Sequence, residues 1–358
     1  MMKLRILDEE DYKILTALGK NPLSKVVEIS KLTGLNVKTV SKRLKDLIES
    51  KVLYYVAAQI CAPSLDMDSI IVFSNVKFKD IPIIEKVCDL HPYTRYRIRV
   101  LGSVNGLLMV FNMPRGSQPI LINLLDELEK LGYIRGYNYY TTIAKWIYNE
   151  NDFSHYNVRE DSWNLDWNVW ERKIESIEKA ELNPYPPSII HQMNEKDMII
   201  LRELTINARE RLKDISKKTG IPEYHLSRRI SFYIDNGVIE GFRVVVYTHA
   251  SRIFDQFIFK CKCPVTTTAK IATAIKELPF QSTFVPLKEG FILQIFLPPT
   301  SISEFGRIIQ GKVEEMEFMW ADYKTSMRYY FYGEPFKDGR WQIDRKTLID
   351  DILTKIKI

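Results

Sequence analysis

Apolar residues recur at helical spacing in the first fifty positions, and the same phrasing returns after residue 190. Ile14, Leu15 and Leu18 share one face of a helix that Asp8 can N-cap, with Asp11 three residues on to complement the helix N-terminus. A second helix is predicted from near Ser24 to Gly34, because glycine takes the left-handed C′ conformation at little cost. A third follows after a tight turn. Its Val40, Leu44, Leu47 and Ile48 make an i, i+4, i+7, i+8 stripe, which turns Lys38, Thr39, Lys42 and Lys45 away from the core. "VLYYV" (Val52–Val56) is then β-rich. Helix, glycine turn, basic helix and strand compose a winged helix-turn-helix.

Downstream the periodicity alternates. "SIIVFSNVKF", "IPIIEKVCDL", "RYRIRVL", "GLLMVFNM", "SQPILINLLDELEKLG" and "YNYYTTIAKW" read as β-α-β-β-α-β, a ferredoxin-like order. The order returns from "QFIFKCKC" through "AKIATAIKEL" and "FILQIFL" to "MRYYFYG", and "NPYPP" (183–187) is a linker signal between the two.

Asp11–Val56 match Asp197–Phe242 without a gap, and the similarity continues beyond them at a slightly changed offset. At an offset of 186, Asp11, Ile14, Leu15, Leu18, Asn21, Ile29, Ser30, Lys31, Thr33, Gly34, Ser41, Arg43, Ile48 and Val52 each meet an identical residue. Chance would match about three of these forty-six positions. "GSVNGLLMVFNMP" likewise faces "VPLKEGFILQIFLPP", and "WNLD" answers "WQID". The expected fold is therefore α+β: two repeats, each a winged helix-turn-helix followed by a ferredoxin-like βαββαβ domain. The expected boundaries are 1–56 and 57–149 for the first repeat, then a Trp-bearing tail and Pro-rich linker at 150–192. Residues 193–243 and 244–333 form the second repeat, and 334–358 a C-terminal tail.

Composition narrows the partners. The net charge of +6 is mildly basic, but it is local: residues 1–56 carry eleven Lys/Arg against seven Asp/Glu, whereas 150–192 carry four against nine. A basic surplus on a short helix-turn-helix is a nucleic-acid footprint. Cys61, Cys88, Cys261 and Cys263 have no metal-ligand spacing and read as buried free thiols, which fits a cytoplasmic location. No apolar run approaches a membrane span.

"LDEEDYKILTALGKN…EISKLTGLNVKTVSKRLKDLIESKVL" and "MNEKDMIILRELTINAR…DISKKTGIPEYHLSRRISFYIDNGVIEGF" resemble the Lrp/AsnC transcription regulators of archaeal type, here in tandem. The resemblance implies double-stranded DNA as partner, a third helix in the major groove, and a homo-oligomer or an intrachain pseudo-dimer. It places Lys38, Thr39, Lys42, Arg43 and Lys45 of the first repeat at DNA, and Tyr224, His225, Arg228 and Arg229 of the second. Family members that sense amino acids use a glycine- and aspartate-bearing loop between the second and third sheet strands. Here that loop offers Gly102, Asn105, Gly106, Glu289 and Gly290 to a small-molecule effector, with Asn105 and Glu289 at the acidic position.

Other features carry a bland reading. Arg95, Arg97 and Arg99 alternate along one strand and read as its polar side rather than an anion site. Trp163, Trp167 and Trp170 have a spacing that shares a helix face and would anchor the tail. Two further functions share the fold. Siroheme decarboxylases resemble this family and use histidine and arginine near the third sheet strand, where "VNGLLMVFNMP" has neither. A protein-binding adaptor that has lost DNA is the other. No catalytic residue, cofactor or metal is expected, and the five histidines (His91, His155, His191, His225, His249) suggest no cluster.

Overall fold

A computed structural model describes residues 6–246 and 255–356. His249 lies outside them. The first helix-turn-helix forms where the caps dictate. Helix α1 (Glu9–Lys20) starts at Asp8, which accepts from the N–H groups of Glu10 and Asp11 while Asp11 reaches back to the Asp8 N–H. Helix α2 (Val26–Thr33) ends on Gly34 at φ 73°, a left-handed position that leads directly into α3 (Val37–Glu49), capped by Asn36. Ile14, Leu18, Ile29, Val40, Leu44 and Leu47 close one core, whereas Ile48, expected inside, is half exposed.

The wing strand β1 (Leu53–Ile60) is followed by β2 (Met67–Val76), α4 (Ile81–Leu90), β3 (Thr94–Gly102), β4 (Gly106–Pro114), α5 (Gln118–Lys130) and β5 (Ile134–Thr141). Short strands β6 (Ile147–Asn149), β7 (Tyr156–Asn157) and β8 (Ser162–Trp163) precede α6 (Trp167–Ser176). The second half repeats the plan. Helices α7 (Glu195–Asn207), α8 (Leu212–Thr219) and α9 (Glu223–Asp235) lead to wing β9 (Ile239–Val246), with Asn194 and Asp197 forming the capping box and Gly220 at φ 71°. Then come β10 (Asp255–Lys262), α10 (Val265–Ile275), β11 (Ser282–Leu287), β12 (Gly290–Leu297), α11 (Ile302–Gln310) and β13 (Glu315–Arg328). A small hairpin, β14 (Phe336–Lys337) and β15 (Arg340–Trp341), and α12 (Asp351–Ile356) finish the chain.

One nine-stranded sheet runs β5-β2-β4-β3-β13-β10-β12-β11-β6, each half keeping the ferredoxin-like order. The halves join where β13 pairs antiparallel with β3, Met319 opposite Gly102 and Arg328 opposite Tyr96. The chain leaving β5 crosses to the far edge, where β6 pairs with β11 and Thr142 bridges Leu287. Successive side chains of a strand point to opposite faces. Ile70 and Val72 therefore face helices α4 and α5, while Ile71, Phe73, Ile98 and Val110 meet Ile258, Val285, Ile292 and Met319 of the other half. Both faces are covered, which is why these strands read as almost continuous apolar runs.

The wings also pair with each other, β1 antiparallel to β9. The Ala208 N–H donates to Val56 O at 2.7 Å, and Arg209 donates to the carbonyls of Pro22 and Ser24 at 2.7 and 2.9 Å. Each half's tail lies on the other half. Trp170 donates to Ala274 O at 3.0 Å and stacks on Phe305, while Trp341 donates to Leu65 O at 2.8 Å and Lys86 to Lys355 O at 2.6 Å. Trp163, expected on one helix with Trp167 and Trp170, sits on β8 instead, because Asp166 caps α6 only after it.

Candidate nucleic-acid interface and a central cavity

The buried stripe of α3 fixes what it presents. Lys38, Lys42 and Lys45 are exposed and Thr39 is half-buried beside the Asn36 cap, whose side chain accepts from the Thr39 N–H at 2.8 Å. On α9 Tyr224 and Arg228 are exposed, with the half-buried His225 ring 4.0 Å from that of Tyr224. Glu223 beside them adds a negative charge that phosphates would repel.

Arg43 and Arg229 behave differently from the expectation. The Arg43 guanidinium lies 2.9 Å from Asp8, 2.5 Å from Glu10 and 3.0 Å from the buried Asp11. Arg229 Nε donates to Asp197 at 2.6 Å, and the guanidinium covers the Phe232 ring at 4.3 Å. Both arginines thus tie the third helix of a unit to the acidic start of its first. Their charge is already matched by these carboxylates, so both brace the motif from within.

The effector-loop residues occupy tight hairpins. A Cβ on Gly102 would stand 2.5 Å from Phe318 O, on Gly106 2.2 Å from Ser74 O, and on Gly290 2.0 Å from Cys261 O. Close backbone approach accounts for these glycines. Asn105 donates to Gly102 O at 3.1 Å within its own turn, and Glu289 is exposed in the β11–β12 turn.

The arginines of β3 part company. Arg97 and Arg99 face α4, where Glu85 pairs with them at 3.0 and 2.8 Å and Asp89 lies 3.4 Å from Arg97. A break in register between Thr94 and Tyr96 turns Arg95 the other way. It donates to Ile60 O and Gln59 at 3.2 Å and lies over Trp146 at 5.3 Å.

Arg95 thereby enters a cavity of about 420 Å³ between the wing pair and the end of the sheet. Arg243 of β9 and Arg328 of β13 enter it too, with Trp146, Tyr148, Tyr96, Tyr323, Gln256 and Gln294. Arg243 donates to Thr283 at 2.7 Å, approaches Glu150 at 3.4 Å and covers Tyr148 at 5.8 Å. Sequence patterning missed Arg243 and Arg328. The available signal was a lone arginine inside an apolar strand, in "FRVVV" and "MRYYF". Burial pushes the Glu150 carboxyl up to about 7 despite Arg243. Burial, then the charges of Arg95 and Arg243, push Arg328 down to about 10.

Among the described residues no histidine or cysteine lines the cavity. His91 is buried in the first-half core, its ring accepting from the Tyr93 N–H at 3.2 Å, and burial pushes it down to about 3. Among the described residues no group of His, Cys, Asp or Glu has the arrangement to hold a metal ion. All four cysteines are free and buried. No helix among the described residues is long and apolar enough to cross a membrane.

Residues 7–53 match a family model described as winged helix-turn-helix DNA-binding. Over 127 residues the chain is 28% identical to an uncharacterized HTH-type transcriptional regulator of Pyrococcus abyssi (strain GE5 / Orsay), covering 35% of this chain and 85% of that one. Among solved structures, the siroheme decarboxylase NirDL aligns at a TM-score of 0.56 and 13% identity, over 98% of this chain and 100% of its own. Its co-complex with an iron-uroporphyrin III analogue gives 0.56 and 12%, over 97% and 100%. AsnC of E. coli aligns with 39% of this chain and 95% of its own, at 15% identity and a TM-score of 0.32. At these identities the full-length likeness to NirDL is a likeness of fold, and the DNA-binding match belongs to the first helix-turn-helix.

Proposed function

We propose that this chain is a sequence-preferring, double-stranded DNA-binding transcription regulator of the Lrp/AsnC type, a cytoplasmic covalent pseudo-dimer. One observation carries the reading. The β1–β9 pairing holds two helix-turn-helix units against each other, and α3 keeps Lys38, Lys42 and Lys45 on its open face. The wings are engaged with each other, so contacts to DNA fall to α3 and α9. Lysines near phosphates release condensed counterions, so binding should weaken steeply with salt. Two reading helices on one rigid body should meet half-sites about one helical turn, ~34 Å, apart. The match at residues 7–53 and the Pyrococcus relative support the same reading.

The decarboxylase reading has the NirDL fold in its favour. Against it, "VNGLLMVFNMP" supplies no histidine, and none of the described residues lining the cavity is one. Anisotropy titrations on genomic and scrambled duplexes over a salt series, followed by footprinting, test the proposal. Paired protected half-sites and a steep salt slope are the expected result. Equal retention on DNA and on an uncharged matrix at low salt would overturn it, and turnover of a tetrapyrrole acid would replace it.

A further inference from the structure

Buried arginines are ordinarily matched by carboxylates, because a guanidinium held away from water without a partner is costly. Arg97, which is buried, obeys this rule, and so do the half-buried Arg43, Arg99 and Arg229. Of the three half-buried arginines of the central cavity, two have no carboxylate partner among the described residues. Among the described residues only Arg243 has a carboxylate within ion-pair reach, Glu150 at 3.4 Å, and burial holds that carboxyl partly protonated near neutral pH. Arg95 is held by a carbonyl and an amide oxygen, neither of them charged. The Arg328 side chain makes no hydrogen bond or ion pair among the described residues, although Arg95 and Arg243 repel it. Gln256, 4% exposed, also keeps an unpartnered Oε1 on this wall. The cavity therefore carries a positive surplus that its own walls do not cancel.

We propose that the central cavity is a binding site for a flat organic polycarboxylate. Three guanidiniums from two halves of the chain call for at least two carboxylates, since each can clasp one through two parallel N–H···O bonds. The flat body follows from the walls. Trp146 and Tyr148 already take arginine over their faces, and Tyr96 and Tyr323 add ring surface that a small inorganic anion would leave bare. About 420 Å³ is the size of a small-molecule pocket. Arg95 comes from the first half, Arg243 and Arg328 from the second, so one chain should take one ligand. The site rests on the cavity alone and is independent of DNA binding.

Calorimetric titration of the intact protein with four probes tests this: uroporphyrin III, benzene-1,3,5-tricarboxylate, citrate and inorganic phosphate. At least one of the two flat acids should bind one per chain, at least about tenfold tighter than citrate or phosphate. Quenching of tryptophan fluorescence by that acid should fall in Trp146→Phe. Arg328→Gln should weaken binding at least about tenfold. Removing an unmatched charge should also keep or raise the melting temperature of the empty protein, which shows that the variant is folded. Arg95→Gln gives the same binding readout from the other half. The proposal is overturned if neither flat acid binds, if phosphate or citrate binds as tightly, or if both arginine variants bind like the parent.

Discussion

Arg228 and Arg229 are neighbours on one helix, yet Arg228 is exposed while Arg229 is paired with a buried carboxylate, and a pair of substitutions separates them. Arg229 Nε and the Tyr233 hydroxyl both donate to one Asp197 oxygen at 2.6 Å, and the Asn194 N–H donates to the other at 2.8 Å. Asp197 is buried. Arg229→Ala leaves that carboxylate without its cation. Removing one partner of a buried pair costs about 3–5 kcal/mol, and the two surviving donors argue for the lower end, about 3 kcal/mol. At ~2.1 cal/mol/K of unfolding entropy per residue, a chain of 358 residues melting as one unit would lose about 4 °C. Arg228 is exposed, so Arg228→Ala should move stability by less than about 0.5 kcal/mol while weakening DNA binding. Scanning calorimetry and DNA anisotropy on both variants decide. An Arg229→Ala variant that melts with the parent would refute this division, as would an Arg228→Ala variant that lowers the melting temperature instead.

Four further outcomes are expected. Alanine at Lys38, Lys42 or Lys45 should lower the salt slope of DNA binding by about 0.9 for each phosphate that is no longer neutralised, measured by anisotropy from low to moderate salt. Alanine at Tyr224 and His225 should instead change the preferred sequence more than the affinity, read by competition between matched and scrambled duplexes. Glu150 holds its proton more tightly folded than unfolded, so its contribution to stability is best at low pH and declines as pH rises from about 4.5 to about 7. Glu150→Gln should flatten the melting temperature across that window. His91 shows the opposite sign: burial resists its protonation, so stability falls as pH drops from about 6.5 towards 3, and His91→Gln should remove part of that acid sensitivity.

Local chemistry made the helix-turn-helix units legible. Asp8, Asn194, Gly34 and Gly220 act within a few residues of themselves, so caps and turns fell where their types require. The role of Arg43 and Arg229 was also written in the repeat, since Asp11 and Arg43 return together as Asp197 and Arg229. A basic residue on a basic helix was read by its charge, whereas its partner lay thirty-two positions away. Ile48 fell outside the core because a spacing rule says which residues share a face, not how far the neighbouring helix extends over it. Arg95 follows a break in register that no alternation pattern reveals. The cavity is harder still, since Arg95, Arg243 and Arg328 meet only when β3 pairs with β13 and the wings pair with each other.

The crossing of the tails bears on how such a protein lives at low abundance. A pair of separate subunits comes apart on dilution, and its two reading helices then part company. Here Trp341 and α12 hold the first half, while Trp167 and Trp170 hold the second, all on one chain. Their encounter is intramolecular, with an effective concentration fixed by the chain rather than by the number of copies. A cell could therefore keep this protein scarce without losing the paired geometry. A single cut in the 183–187 segment should leave two fragments that still travel together, because each carries a piece of the other's cover.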